Sequence, residues 1–350
     1  MLNIPDTAWK FGCGRYLQSA DALTHLMEEI ERLGGRPFVV AGHRAWDAVK
    51  DVYPELAVLE DGAFERYSGP CTIERTEAFA KAAAGCSVIV GVGGGRVMDL
   101  AKLAGQMAKL PVINVPTVSS TCAAFTPLSV MYTEEGRTVG TWYHPTEVDA
   151  VIADTTVLSR QPVRYAAAGV MDSLAKACEI AHHGARAQEK NDLRAAFFMA
   201  NYLFERLSAI CEKVVADISV HNNSDEVDEL AFLTLALTGM ISGTARGCLQ
   251  TAVGHAFYEE VRKQFPRESA DALHGELVGL GLRYQTEYSG VLKAEVEKMG
   301  KVLKIAQSVG AVGLDPQTLP VLAQGMAARM GQDGKIVDAE KLLTIMQQRG

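Results

Sequence analysis

Ser87–Ala108 reads SVIVGVGGGRVMDLAKLAGQMA. Its first residues are apolar and rich in β-branched side chains, the composition of a strand covered on both faces of a parallel sheet. Gly91-Val92-Gly93-Gly94-Gly95-Arg96 closes that run, and Val97–Ala108 follows with a helical pattern. Glycines at such a turn let the backbone approach a pyrophosphate, and the helix N-terminus points N–H groups at it. The run is not G-x-G-x-x-G, because position 96 is Arg, and no Gly-Lys-Ser/Thr follows to make a P-loop. A plain tight βα turn also fits, although three adjacent glycines exceed what a turn needs.

The same alternation extends to either side. Arg36–Ala41 (RPFVVA) and Pro111–Val115 (PVINV) read as buried strands, and Leu128–Tyr132 and Ala150–Ala153 add strand-like runs. Asp21–Leu33 carries Leu23, Leu26, Met27, Ile30 and Leu33 at helical spacing, with Gly34-Gly35 as the stop. Glu134-Glu135-Gly136 reads as a hairpin turn. Strand and helix in alternation predict an open α/β sheet. A second polar cluster, Pro116-Thr117-Val118-Ser119-Ser120-Thr121, follows the strand at 111–115, where open α/β sheets bind ligands. Helix capping suits the same hydroxyls.

The chain changes character near residue 160. After Pro162, helical patterns run over Tyr165–His183, Asn191–Ala209, Asp225–Gly239, Cys248–Gln264, His274–Tyr288, Glu295–Ser308, Leu319–Arg329 and Ala339–Gln348. Pro162 and Pro316 stand near helix starts, where a missing N–H does no harm. The expected organisation is an α/β dinucleotide-binding domain over 1–160 and an all-α domain over 161–350, with a cleft between them as the site.

Composition narrows the function. The chain has 350 residues, room for more than one core, and its 48% hydrophobic, 22% charged makeup is that of a soluble globular protein. With a net charge of −8 and no Lys/Arg run interleaved with aromatics, nucleic acid is not expected as a partner. No apolar run reaches the roughly 18 residues of a membrane span. The first residues lack the basic-then-apolar order of a signal peptide, so a cytoplasmic protein is expected. Cys13, Cys71, Cys86, Cys122, Cys178, Cys211 and Cys248 are odd in number and never form Cys-x-x-Cys, against both a disulfide framework and a thiolate zinc site.

Of the eight histidines, His25, His43, His144, His182, His183 and His221 sit in ordinary helical or loop contexts. His255 and His274 lie among small and apolar neighbours, and Asp172 is an acid within the apolar helix Ala168–Leu174. Buried imidazoles and a buried carboxylate are costly unless paired or bound to metal. Two His and one carboxylate leave an open coordination position, as a catalytic metal site requires. At 83 and 19 residues apart, nothing in the spacing brings them together, and satisfied core residues remain the alternative.

The chain resembles the iron-containing (group III) alcohol dehydrogenases, in particular the glycerol dehydrogenase-like branch. GVGGGRVMDLAK looks like that family's G-G-G-x-x-x-D-x-A-K signature, and PTVSSTCAAFTPLSVMY looks like its P-T-x-x-S-T segment and following strand. GVMDSLAKACE, AVGHAFYE and LHGELVGLG look like its three metal-ligand segments, in order. The similarity runs from about residue 8 to about 330. It implies a Rossmann-like N-terminal domain and an all-α C-terminal domain, the architecture shared with dehydroquinate synthase-like enzymes. It also implies that Asp172, His255 and His274 bind Zn²⁺ or Fe²⁺, and that Gly93, Gly94, Gly95 and Asp99 lie at the pyrophosphate. Thr117 and Ser120 would contact the cofactor, with Thr126, Leu128 and Tyr132 along its ribose and nicotinamide side. The expected activity is hydride transfer between NAD(P)(H) and a small-molecule alcohol/carbonyl pair, in a homo-oligomer.

Two positions depart from the family pattern. Members that prefer NAD carry an acid after the first strand, where this chain has Gly42, followed by His43 and Arg44. Without that carboxylate a 2′-phosphate is no longer repelled, and His43 or Arg44 could pair with it, so NADP joins NAD as a candidate cofactor. Cys122 stands where glycerol dehydrogenases have an Asp that holds a substrate hydroxyl. A thiol is a weak hydrogen-bond partner. A polyol is thereby disfavoured, and the T-C-A-A-x-T-P-L-S pattern resembles that of family members acting on short 2-hydroxy or 2-oxo acids, so the resemblance implies such an acid as the substrate at Cys122. Glycerol dehydrogenase is the alternative, followed by a dehydroquinate synthase-like lyase and a nucleotide sensor without chemistry.

Overall fold

Segments that are apolar without interruption form the middle of a sheet. The computed structural model describes residues 9–182, 190–245, 252–332 and 337–349. Its strands are β1 (Tyr16–Ser19), β2 (Pro37–Ala41), β3 (Ala63–Arg66), β4 (Val88–Gly93), β5 (Val112–Pro116), β6 (Leu128–Tyr132), β7 (Thr138–Tyr143) and β8 (Ala150–Asp154). All but β6 and β7 make one parallel sheet in the order β1-β8-β5-β4-β2-β3, with Val39 opposite Val90 and Val92 opposite Val115. β6 and β7 pair antiparallel across the expected turn, where Gly136 takes φ +82°.

The period-2 alternation of the strands sends side chains to two cores. Val39, Val90, Val115 and Ile152 face one, together with Leu26 and Ile30 of α1 (Leu26–Arg32) and Trp46 and Val49 of α2 (His43–Val52). Phe38, Val40, Ile89 and Val151 face the other, under Phe79 of α3 (Ile73–Ala82) and Leu100 and Leu103 of α4 (Gly95–Ala108). The chain travels outward from β2 to β3, returns to β4 on the far side of β2, and continues to β5. Its direction of travel thus reverses between β2 and β4, where open α/β sheets place their ligand crevice.

From α5 (Thr155–Leu158) onward the described residues contain no strand. α6 (Val163–His182), α7 (Asn191–Ser219), α8 (Asp225–Ala231), α9 (Thr238–Thr244), α10 (Val253–Gln264), α11 (His274–Ser289), α12 (Lys293–Val302), α13 (Leu319–Gln332) and α14 (Ala339–Arg349) surround a third core that includes Leu174, Leu203, Phe257 and Tyr284. No helix among the described residues is long and apolar enough to cross a membrane.

Several boundaries differ from expectation. The segment from Asp21 begins as a 3-10 turn, Ala22–His25, before α1. The expected helix over 225–239 is interrupted by a π-turn at Phe232–Leu237, where Thr238 Oγ1 donates to the Leu233 carbonyl at 2.8 Å. α12 stops at Val302 instead of reaching Ser308: Lys304 is left-handed at φ +52°, and the Ile305 N–H turns back to the Gly300 carbonyl at 3.0 Å. α10 starts at Val253, and the earlier part of the helix expected from Cys248, like His183, lies outside the described residues.

Candidate metal and cofactor site

Three neighbouring parallel strands deliver their loops to one edge of the sheet. β2 leads into Gly42, β4 into Gly94 and Gly95, and β5 into Thr117. The loops are stitched together: the Gly42 N–H donates to the Val92 carbonyl at 2.9 Å, and the Thr117 N–H to the Gly93 carbonyl at 3.0 Å. Gly94 caps α4 and Gly95 opens it, so the first N–H groups of that helix, which lack intrahelical acceptors, stand at the cleft wall. The cleft measures about 1130 Å³ and runs from Gly42, His43 and Arg44 to Asp172, His255 and His274.

All the expected site residues line this cleft except Gly93, which lies buried behind it as the last residue of β4. Several have structural duties as well. The buried Asp99 carboxylate accepts from the Val130 N–H at 3.1 Å and pairs with Lys102 at 3.0 Å. Lys102 in turn donates to the carbonyls of Thr126 and Leu128. Asp99 and Lys102 thus fasten the β6–β7 hairpin to α4. Thr126 Oγ1 donates to the Cys122 carbonyl at 3.3 Å, and Thr121 caps the short turn Cys122–Ala124. Cys122 itself has a neutral thiol: burial, then the charge of Asp172, pushes it up to about 11.

The far end of the cleft is built from α6, α10 and α11, and glycine allows them to meet there. A Cβ on Gly169 of α6 would fall 1.8 Å from the Ser119 carbonyl oxygen, and one on Gly275 of α11 would fall 1.9 Å from the Ala168 carbonyl oxygen. The first approach sets α6 on the loop after β5, and the second sets the start of α11 on α6. Ser119 is also tied to Gln161 just before α6, its N–H donating to Gln161 Oε1 at 2.8 Å. The loop into α11 is held by Arg262, which donates to the carbonyls of Ser269 at 2.8 Å and Ala272 at 2.5 Å.

This packing brings the three candidate ligands together. Their donor atoms all lie within 4.8 Å of one another. Asp172 Oδ1 is 3.1 Å from His274 Nε2 and 3.3 Å from His255 Nε2. The other nitrogen of His255, Nδ1, is 2.7 Å from Glu179 Oε2, and Glu179 Oε1 accepts from the N–H groups of Ala252 and His255, each at 3.0 Å. A fully buried carboxylate behind a ligand imidazole fixes the ring and leaves its far nitrogen free for a metal. A carboxylate and two imidazole nitrogens at these distances are satisfied either by shared protons or by a cation held among them. The donor set, one carboxylate and two imidazoles with an open side toward the cleft, fits Zn²⁺ or Fe²⁺.

The charges of these side chains act strongly on one another. Burial raises the Asp172 carboxyl, but His274 and His255 outweigh it, and the net direction is down. Burial lowers the His255 imidazole, but Glu179 and Asp172 outweigh it and raise it to about 9. Glu179 was not singled out from sequence, although it follows Asp172 by two helical turns and faces the same way. Tyr258 and Lys176 were also missed. Tyr258 packs edge-on against the His274 ring at 4.0 Å between centroids, and Lys176 lines the cleft one turn beyond Asp172.

Comparison with known proteins follows the same lines. A family model described as iron-containing alcohol dehydrogenase matches residues 13–155. A glycerol dehydrogenase of Citrobacter freundii is 31% identical over 340 residues, covering 93% of this chain and 87% of that protein. A glycolaldehyde reductase of Halobacterium salinarum is 27% identical over 311 residues, covering 85% and 83%. Among solved structures, a probable glycerol dehydrogenase from Sinorhizobium meliloti shares the fold with a TM-score of 0.81 at 22% identity, covering 97% of this chain and 98% of that one.

Proposed function

Since the chain belongs to the iron-containing alcohol dehydrogenase family, in its glycerol dehydrogenase-like branch, we propose that it transfers a hydride between NAD(P)(H) and a short 2-hydroxy/2-oxo acid pair at Asp172, His255 and His274. The observation that carries this reading is the convergence of three donors at the inner end of a glycine-floored cleft. Residues 1–160 act as the cofactor domain and 161–350 as the metal- and substrate-binding domain.

When bound, the divalent cation supplies Lewis-acid polarisation of the carbonyl and the nicotinamide supplies the hydride. The protein supplies alignment. Asp172, His255 and His274 are the residues that would hold the cation. Glu179 keeps the Nδ1 proton on His255, so Nε2 presents its lone pair. Gly94, Gly95 and the first turn of α4 receive the pyrophosphate, with Thr117 and Ser120 beside them. Thr126, Leu128 and Tyr132 wall the ribose and nicotinamide side and exclude water. Gly42 leaves room for either cofactor, and the neighbouring His43 and Arg44 support NADP.

Two further residues of the cleft bear on the substrate class. The neutral Cys122 thiol offers a polyol hydroxyl only a weak partner, whereas Lys176 on the same cleft adds a positive charge that suits a carboxylate. Polyol oxidation is the second reading, favoured by the similarity to the Citrobacter freundii glycerol dehydrogenase.

Nicotinamide absorbance tests both readings. NADPH and NADH are crossed with 2-oxo acids, aldehydes and ketones, and the reverse reaction is run with glycerol, each with Zn²⁺, Fe²⁺ or a chelator. The expected outcome is chelator-sensitive reduction of 2-oxo acids that outruns every other pair. Faster glycerol oxidation would replace the acid reading with the polyol one. Full turnover by His274→Ala in chelator would remove the metal from the proposal.

A further inference from the structure

The two histidines of the site are held in different ways. His255 is locked through Nδ1 by Glu179. Among the described residues, His274 has no comparable carboxylate behind it; its hydrogen bond is to Asp172. What fixes its ring is packing: the Tyr258 ring lies 4.0 Å away at 62°, and the His255 ring 5.7 Å away on another side. Tyr258 and His255 are three residues apart on one face of α10, and Arg262, one turn further, holds the loop that leads into His274. One stripe of α10 therefore supplies a ligand, the neighbour of the second ligand, and the anchor of its loop.

The Tyr258 hydroxyl points away from this stripe. It meets the Tyr132 hydroxyl of β6 at 2.8 Å, with both rings in the cleft wall. This is a direct polar contact between the helical part and the hairpin that α4 carries through Asp99 and Lys102. It joins the ring packed on a metal ligand to a residue on the nicotinamide side of the cleft.

We propose that Tyr258 is the positioning residue for His274, and that its hydrogen bond to Tyr132 couples metal affinity to cofactor occupancy. The inference rests on the proposed function for the identity of both ligands. A cofactor that orders Tyr132 orders Tyr258 through the shared hydrogen bond, and the His274 ring with it. By linkage the effect is reciprocal: the factor by which reduced cofactor tightens the metal is the factor by which metal tightens the cofactor.

The test uses the full chain. Zn²⁺ affinity is measured by competition with a chromophoric chelator, with and without saturating NADH or NADPH, and cofactor affinity by nicotinamide fluorescence. Tyr258→Leu should weaken Zn²⁺ by about tenfold or more, the usual scale for loss of a residue supporting a ligand. Tyr258→Phe keeps the ring and should hold Zn²⁺ as the parent does. Cofactor should tighten Zn²⁺ by about tenfold in the parent. That gain should vanish in Tyr258→Phe and in Tyr132→Phe, with no further loss in the double variant.

Parent-like Zn²⁺ affinity in Tyr258→Leu, or equal losses in Tyr258→Leu and Tyr258→Phe, would overturn the positioning role. A cofactor effect that is absent in the parent, or survives in both Phe variants, would overturn the coupling. Zn²⁺ binding unchanged by His274→Ala, or no binding of either nicotinamide by the parent, would overturn the proposed function, and this inference with it.

Discussion

Glu179 shows how much of the centre depends on a side chain that never faces the cleft. It is fully buried, accepts two backbone N–H groups at the start of α10, and receives the His255 ring at 2.7 Å. Glu179→Gln keeps the volume and an acceptor for the backbone but removes the charge that orients the imidazole. Metal content after dialysis against a graded chelator should show a loss of about 10–100-fold in affinity. Unchanged retention would mean that the ring is held by packing alone. Asp172 was legible in the sequence because an acid in an apolar helix needs a partner. Its meeting with His255 and His274 was not, since ligands 83 and 19 residues apart converge only through tertiary packing. The similarity of the flanking segments to a known family, and not their spacing, supplied that link. The upward shift of the Cys122 thiol is equally invisible in one dimension, because it depends on burial and on the nearby Asp172 charge.

At the scale of the element, the site is a consequence of how closely helices and loops approach. His274 is the first residue of α11, and Gly275 immediately after it lies against the backbone of α6. Gly275→Ala would place a methyl group 1.9 Å from the Ala168 carbonyl oxygen, so α11 must move outward and take His274 with it. Overpacking of this kind costs about 1–3 kcal/mol. A lowered Tm together with weakened metal retention is expected. Gly300→Ala on α12 is the matched control: nothing lies within 4 Å of its new methyl group. There the reduced freedom of the unfolded chain should leave Tm equal or higher. Equal Tm losses in both variants, read by calorimetry, would show that α11 is not held by this approach. The need for glycine at 275 could not be read from the chain, because its neighbour is 107 residues away. The helix itself was plain from its periodicity.

The whole molecule was legible in its centre and not at its margins. Continuous apolar runs mark β2, β4, β5 and β8, which lie inside the sheet. β1 and β3 are its four-residue edges, β3 alternating exposed and half-buried, and that signal does not stand out from loop. The attachment of the β6–β7 hairpin was also unread, and it makes His144 a structural residue of the assembled fold. His144 is buried where the hairpin returns to α4, with Nε2 at 2.9 Å from Ser129 Oγ and Nδ1 at 2.5 Å from Gln106 Oε1. Burial, and then the Lys102 charge, lowers the imidazole from 6.5 to about 3. The folded state therefore resists a proton that the unfolded chain accepts. The His144 contribution to stability is complete above pH 6.5 and is lost progressively as pH falls toward 3, with a slope of at most about 1.4 kcal/mol per pH unit. Urea midpoints of the chelated protein should fall from pH 7 to pH 4 more steeply in the parent than in His144→Gln, which has no proton to gain. Whatever stability the substitution removes at neutral pH, the difference in slope remains the measure. Parallel pH profiles would show that the hairpin is not secured by a neutral histidine.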